Sequence, residues 1–137
     1  MPSDLLLLTS ELRYLAYAAL LSLLLWIPYI LAEIRTRGLS RAVSYPTGFY
    51  DDLPDWAQRC HRAHMNLVEN LVPFAALVLI AQVAGVASDL TVLSAQLFFW
   101  ARIVQTVVHI AGIPWLRTLA FAAGWAGNLL IFLAIVS

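Results

Sequence analysis

Residues 71–87 read LVPFAALVLIAQVAGVA, and this uncharged run decides the fold class. A helix needs roughly 20 mainly apolar residues to cross the hydrocarbon core of a bilayer. The run is the larger part of a mainly apolar segment that begins near residue 63. Three other segments of the chain are similarly long and apolar. The sequence therefore predicts four transmembrane helices, at about 11–33, 63–87, 90–111 and 117–136.

The composition leads to the same class of protein. Hydrophobic residues make up 62% of the chain and the mean hydropathy is +0.82, whereas soluble domains average roughly 45–50% apolar residues. The formal net charge is zero, which leaves no basic field to attract nucleic acid. The single cysteine, Cys60, excludes an internal disulfide, and no Cys/His spacing indicates a metal site. We predict an all-α integral membrane four-helix bundle, with residues 1–137 in one domain.

The connections between the predicted helices indicate the topology. Residues 85–89 (GVASD) and 112–117 (GIPWLR) are short turns, so the helices that they join should be antiparallel. The first connection, about 34–62, is long and polar. Most of the arginines lie on its side of the membrane: Arg35, Arg37, Arg41, Arg59, Arg62 and Arg117. By the positive-inside rule this side is cytoplasmic and both termini lie outside. Compact loops without retention signals favour a bacterial inner membrane.

Polar residues form a stripe along the start of the second predicted helix. Arg62, Asn66, Glu69 and Pro73 stand at i, i+4, i+7 and i+11, which places them within about 60° of one another on a helix. Charged side chains inside a membrane normally face a partner or a wet cavity, because lipid solvates them poorly. The stripe therefore marks either an ion pair that holds helices together or a ligand site.

The third predicted helix repeats this spacing. Arg102, Thr106 and His109 stand at i, i+4 and i+7, with Gln105 on the flank of the same face. The counter-ion of Arg102 is expected to be Glu69 or an anionic ligand. The two stripes together should face one intramembrane site near the cytoplasmic end, to which Asn70 also contributes. Guanidinium groups bind carboxylates, a carboxylate accepts an ammonium, and amides hold peptide groups, so the residues suit a small zwitterionic or anionic peptide.

Two motifs resemble those of the MAPEG family, the membrane-associated proteins in eicosanoid and glutathione metabolism, and above all its microsomal glutathione transferase branch. They are RAHMNLVENLVPF, residues 62–74, and ARxxxTxxHxxGIPWLRT, residues 101–118. The resemblance covers almost the whole chain, including the four spans and the long first loop. It implies a homotrimeric bundle that binds glutathione in a bent form between neighbouring subunits.

The resemblance also implies roles for individual residues. Arg117 stands where relatives carry the arginine thought to stabilise the glutathione thiolate, which makes it the candidate catalytic residue. His109 stands where relatives place a ligand-binding tyrosine. The segment that contains Arg35 and Arg37 aligns loosely, so either of them could be the ligand there. The implied glutathione ligands are Arg62, His64, Asn66, Glu69, Arg102, His109, and Arg35 or Arg37.

These residues lead to three hypotheses of function. The first is a glutathione-dependent transferase or peroxidase that acts on lipophilic electrophiles or lipid hydroperoxides arriving from the membrane lipid. The second is a non-catalytic relative that binds a lipid or a partner protein on the same scaffold, which His109 in place of tyrosine favours. The third is a structural or ion-pathway protein in which Glu69 and the arginines form only interhelical pairs.

Overall fold

A computed structural model describes residues 8–44 and 52–137. Within these residues the chain forms five α-helices and no β-strand. They are α1 (Ser10–Arg37), α2 (Leu39–Ala42), α3 (Asp55–Ala84), α4 (Asp89–Ala111) and α5 (Pro114–Val136). All except the short α2 are long and apolar enough to cross a membrane. The prediction of an all-α bundle with four spans is confirmed.

The first connection is shorter than the sequence predicted. The expected loop, about 34–62, is helical at both ends, since α1 continues to Arg37 and α3 begins at Asp55. Hydropathy locates the membrane rather than the helix ends, and the first turns of α3 stay helical because they pack on α1. Ala57 and Cys60 are fully buried in that contact, and α2 was not predicted at all. Residues 45–51 of the expected loop lie outside the described residues.

Local sequence signals set the ends of α3 and α4. Gly85 and Gly112 adopt left-handed conformations that end these helices, with φ of 69° and 82°. Ser88 and Thr91 form a capping box at the start of α4. The Thr91 hydroxyl also donates to the buried Glu11 carboxylate at 2.6 Å, which joins the start of α4 to the start of α1. These turns make α3, α4 and α5 antiparallel to their chain neighbours, as predicted. Hydrogen bonds from Thr9 to Gln82 and between Tyr29 and His64 show that α1 also runs antiparallel to α3.

Small residues bring α4 and α5 into close contact. A Cβ atom placed on Gly127 would lie 2.9 Å from the backbone oxygen of Ser94 and 3.2 Å from the backbone nitrogen of Phe98. Glycine at this position therefore lets the two helix backbones approach each other. The close approach matters for function because α4 and α5 carry most of the polar residues described below.

Replacing Gly127 by alanine is expected to destabilise the bundle by about 1–3 kcal/mol, the usual effect of overpacking a core. The contact is with backbone atoms, which cannot rotate away. This loss should exceed the gain in helix propensity of about 1 kcal/mol on replacing Gly by Ala. Thermal unfolding in detergent measures the effect. Ala122→Leu, at an exposed position of the same helix, is the control and should change little; a more stable Gly127→Ala protein would contradict the packing described here.

Candidate functional site

A cavity of about 360 Å³ opens between α3, α4 and α5, at the end of the bundle where α4 ends and α5 begins. The side chains around it are almost all polar. Its lining residues are Asn66, Gln105, His109, Arg117, Thr118 and Phe121. The two stripes that helix periodicity predicted, with Asn66 on α3 and His109 on α4, therefore border a cavity, and α5 forms its third side.

The guanidinium of Arg102 lies directly behind this lining and is fully buried. Its Nη1 donates to Asn66 Oδ1 at 2.9 Å and to Gln105 Oε1 at 2.6 Å. Gln105 Nε2 also donates to Asn66 Oδ1, at 2.7 Å. Because the Asn66 oxygen accepts two hydrogen bonds, its Nδ2 amino group is the atom left to donate to a ligand.

Aromatic rings and a glycine make room for Arg102. Its Cζ atom lies 5.2 Å from the ring centroids of both Phe98 and Phe121, a distance at which a cation is attracted to an aromatic face. A Cβ atom on Gly124 would lie only 2.8 Å from Arg102 Nη2. Glycine at position 124 therefore fits the guanidinium, and a larger residue would displace it.

Several buried nitrogen atoms at this site have no hydrogen-bond partner within the described residues. Arg102 Nε and Nη2 are buried and make no hydrogen bond, and the same is true of His109 Nδ1. Buried polar groups in folded proteins are nearly always satisfied, so each exception calls for an explanation. Of the residues that the structure describes, no acidic side chain lines the cavity. The site is thus rich in donors and positive charge, and it suits an anionic ligand that carries several acceptor oxygens.

The structure brings together only part of the predicted set. Asn66, His109 and Arg117 line the cavity, and Arg62 lies in an adjoining one. Glu69 does not pair with Arg102: it is exposed on α3 and makes no ion pair within the described residues. The direct Glu69–Arg102 pair is therefore wrong for this chain, because Arg102 points inward to the amides of Asn66 and Gln105.

Three predicted ligands lie on another side of the bundle. His64 is buried between α1 and α3, where its Nδ1 lies 2.8 Å from the Tyr29 hydroxyl. Arg37 pairs with Glu33 at 2.8 Å and with Asp52, and its hydrogen bonds lower the pKa of the Asp52 carboxyl. Arg35 is exposed at the end of α1. None of the three lines the cavity of its own chain.

Other residues of the site were not singled out from the sequence. Gln105 was placed only on the flank of its stripe, yet it bonds both Arg102 and Asn66. Thr118 and Phe121 line the cavity from α5, a helix that carries no polar stripe. The sequence did contain a signal for Phe121, because Phe121 stands four residues after Arg117 and therefore shares its helix face.

The fold and the cavity define a multi-pass α-helical membrane protein with a polar, cationic site between three helices at one end. The sequence profile of the MAPEG family matches residues 14–137, nearly the whole chain. The chain belongs to the MAPEG family.

Curated relatives share part of the sequence. Microsomal glutathione S-transferase 1 from Bos taurus is 36% identical over 76 residues, which are 55% of this chain and 49% of that protein. The protein of the same name from Homo sapiens is 33% identical over 76 residues with the same coverage, and that from Sus scrofa is 36% identical over 73 residues, 53% and 47%. The chain thus spans about half the length of the curated relatives it matches. No solved structure gives a significant match.

Proposed function

We propose that this protein is a membrane-embedded glutathione-dependent transferase or peroxidase. The observation that carries the proposal is the cavity whose lining offers Asn66 and Arg117 as donors, in front of the buried Arg102 that has no acidic partner among the described residues. Glutathione is a small peptide with two carboxylates, two amide carbonyls and a thiol, so it can accept from such donors. The relatives named microsomal glutathione S-transferase 1 support the same ligand.

The ligands that we propose follow from where each side chain lies. Asn66 donates through Nδ2 to a peptide carbonyl or carboxylate, His109 offers its unpartnered Nδ1, and Arg62 reaches the ligand from the adjoining cavity. Glu69 accepts the glutathione ammonium from the outer face of α3. Arg102 acts indirectly from behind the cavity lining, because it holds the Asn66 amide in place and adds positive potential.

Arg117 is the proposed catalytic residue. The glutathione thiol has an ordinary pKa of about 8.5, taken from cysteine, and is mostly protonated at neutral pH. A guanidinium beside the sulfur favours the thiolate and lowers that pKa. The thiolate then attacks an electrophilic carbon and displaces its leaving group. With a lipid hydroperoxide, two glutathione molecules are oxidised to the disulfide while the hydroperoxide is reduced to an alcohol and water.

Glu69 supports a homotrimer with sites between subunits. A carboxylate in a membrane span is costly when it faces lipid, and Glu69 is exposed on a single chain. A neighbouring copy that covers this face of α3 removes the cost. In that assembly an arginine at the end of α1 serves a neighbour's site rather than its own, whereas His64 stays buried between α1 and α3. Arg35 is the better candidate of the two arginines, because Arg37 is held by Glu33 and Asp52.

The assembly can be measured directly. Native mass spectrometry of detergent-solubilised protein is expected to give a particle of three times the 15.2 kDa chain mass. Glu69→Lys should weaken the assembly, since it places a cation where the partner covers an anion. The charge-reversal control is Arg13→Glu, because Arg13 is exposed at the opposite end of the bundle. A monomer in the wild type would contradict the proposal.

The reaction is tested by incubating purified protein with glutathione and a generic aryl halide and following the conjugate. Conjugation above the uncatalysed rate supports the transferase.

A second candidate, a non-catalytic lipid- or partner-binding member, rests on His109, whose Nδ1 is buried and unpartnered where the resemblance expects a tyrosine. Retained glutathione binding without turnover selects that candidate, and a lack of any glutathione binding contradicts the transferase or peroxidase.

We also propose that the loop side of the bundle faces the cytoplasm of a bacterial inner membrane, as the arginine distribution favours.

A further inference from the structure

Arg59 lies near the start of α3 but hydrogen-bonds the end of α4, at the corner where α5 begins. Its Nε donates to the backbone oxygen of Ile110 at 2.8 Å. Its guanidinium also packs on Gly112, where an added Cβ would lie 3.4 Å from both Cζ and Nε. No step of the proposed reaction uses this arginine.

The backbone at the end of α4 explains why a donor is needed there. The last carbonyls of a helix have no partners within the helix itself. The two carbonyls before that of Ile110 accept backbone N–H groups from residues 112 and 113. The N–H that would continue this pattern to Ile110 belongs to Pro114, and proline has none. Arg59 therefore supplies the missing donor, and its positive charge is favoured at the negative end of the helix.

The corner that Arg59 contacts determines where Arg117 lies. α5 begins at Pro114, three residues after α4 ends at Ala111. The Arg117 N–H donates to the backbone oxygen of Ile113 at 3.1 Å, in the first turn of α5. Arg117 is thus within one helical turn of the corner, so its guanidinium moves with the direction in which α5 leaves α4.

We propose that Arg59 is a positioning residue, which ties α3 to the corner between α4 and α5 and thereby holds the guanidinium of Arg117 beside the glutathione thiol. This role rests on the proposed function, since it acts through the catalytic residue proposed there. Arg59 also borders the adjoining cavity, where the competing role is that of a glutathione ligand. The two roles need different atoms, because the tie uses Nε and a ligand in the cavity would use the terminal amino groups.

Two substitutions of Arg59 separate these atoms. Arg59→Gln keeps a donor nitrogen bonded to Cδ, where arginine has Nε, but removes the charge and the terminal amino groups. Arg59→Met removes every donor at similar length. In conjugation kinetics with an aryl halide, Arg59→Gln should keep kcat within about twofold of the wild type and Arg59→Met should lower it about tenfold, because a misplacement of about 1 Å costs up to about a hundredfold. The pH–rate profile of Arg59→Met should also move to higher pH, because the cation is no longer held beside the sulfur.

A double mutant tests whether the effect passes through Arg117. In a protein that carries Arg117→Ala, adding Arg59→Met should lower the rate no further, since coupled residues are not additive. The matched control is Arg41→Met, because Arg41 is exposed on the same side of the bundle and lines neither cavity. Losses that add fully overturn the positioning role. A rise in KM of equal size in Arg59→Gln and Arg59→Met also overturns it and makes Arg59 a glutathione ligand.

Hydrogen exchange tests the tie without glutathione. The backbone amides of residues 112–118 should exchange faster in Arg59→Met than in the wild type or in Arg59→Gln, because the corner opens more often without the hydrogen bond. Equal exchange in the three proteins overturns the tie. A wild type that forms no conjugate contradicts the proposed function instead, and exchange then still decides whether Arg59 holds the corner. If Arg59→Met does not fold, Arg59→Gln decides between the roles: a KM like that of the wild type supports positioning, and a raised KM overturns it.

Discussion

Replacing Arg117 by alanine is expected to lower the rate of glutathione conjugation at neutral pH by about a hundredfold, the usual effect of removing one preorganised stabiliser of developing negative charge. Arg117 lines the first cavity beside His109. A cation near the sulfur lowers the thiol pKa, so its removal raises that pKa and leaves less thiolate at pH 7. The pH–rate profile should therefore move to higher pH. Steady-state kinetics with an aryl halide, measured across pH, report both changes.

The same measurement separates a catalytic role for Arg117 from a structural one. Arg117→Lys keeps the charge and should recover part of the rate, while Arg41→Ala, exposed and outside the cavity, should have no effect. The fall should be in kcat more than in KM, since the charge acts on the sulfur rather than on the peptide. A profile that falls equally at every pH would contradict the thiolate role.

Replacing Arg102 by methionine is expected to weaken glutathione binding roughly tenfold while leaving the bundle at least as stable. The first effect follows because Asn66 loses one of the two donors that orient its amide, and one hydrogen bond to a charged group contributes about 1.5–3 kcal/mol. The second follows because Arg102 is a fully buried cation with unpartnered Nε and Nη2. Apolar residues of similar volume often replace such charges without loss of stability.

Binding by equilibrium dialysis and thermal unfolding in detergent measure the two effects on the same sample. Asn128→Ala is the control, since Asn128 is buried in α5 but does not line the cavity. An Arg102→Met protein that fails to fold would show that Arg102 is structural. A protein that folds and binds glutathione normally would show that it does not position Asn66.

Much of the fold could be predicted because hydropathy reports membrane depth directly. The segment at 90–111 agrees with α4 to within one residue, since Ser88 and Gly112 mark its ends in the sequence. The start of α3 was predicted eight residues too late because its first two turns extend beyond the apolar run. Those turns are helical because Ala57 and Cys60 pack on α1, a tertiary contact that hydropathy does not report.

The site could be predicted on α3 and α4 because helix periodicity is enough to place Asn66 and His109 on facing stripes. Helix periodicity could not predict that the Arg102 side chain turns inward, because this orientation depends on the space that Gly124 leaves on α5. Helix periodicity does place His64 on roughly the opposite side of α3 from the stripe, and only the resemblance made it a ligand. The contact between His64 and Tyr29 agrees with the periodicity. Sequence spacing gives the face of one helix, and packing decides which helix meets that face.

The central proposal is that glutathione binds in the cavity between α3, α4 and α5, and equilibrium dialysis of detergent-solubilised protein against labelled glutathione measures this binding. The wild type is expected to bind, and Asn66→Ala to bind about tenfold more weakly, because Asn66 is the lining residue that Arg102 and Gln105 hold in place. Wild-type protein that binds no glutathione, or an Asn66→Ala protein that binds it equally well, would contradict a glutathione site in this cavity.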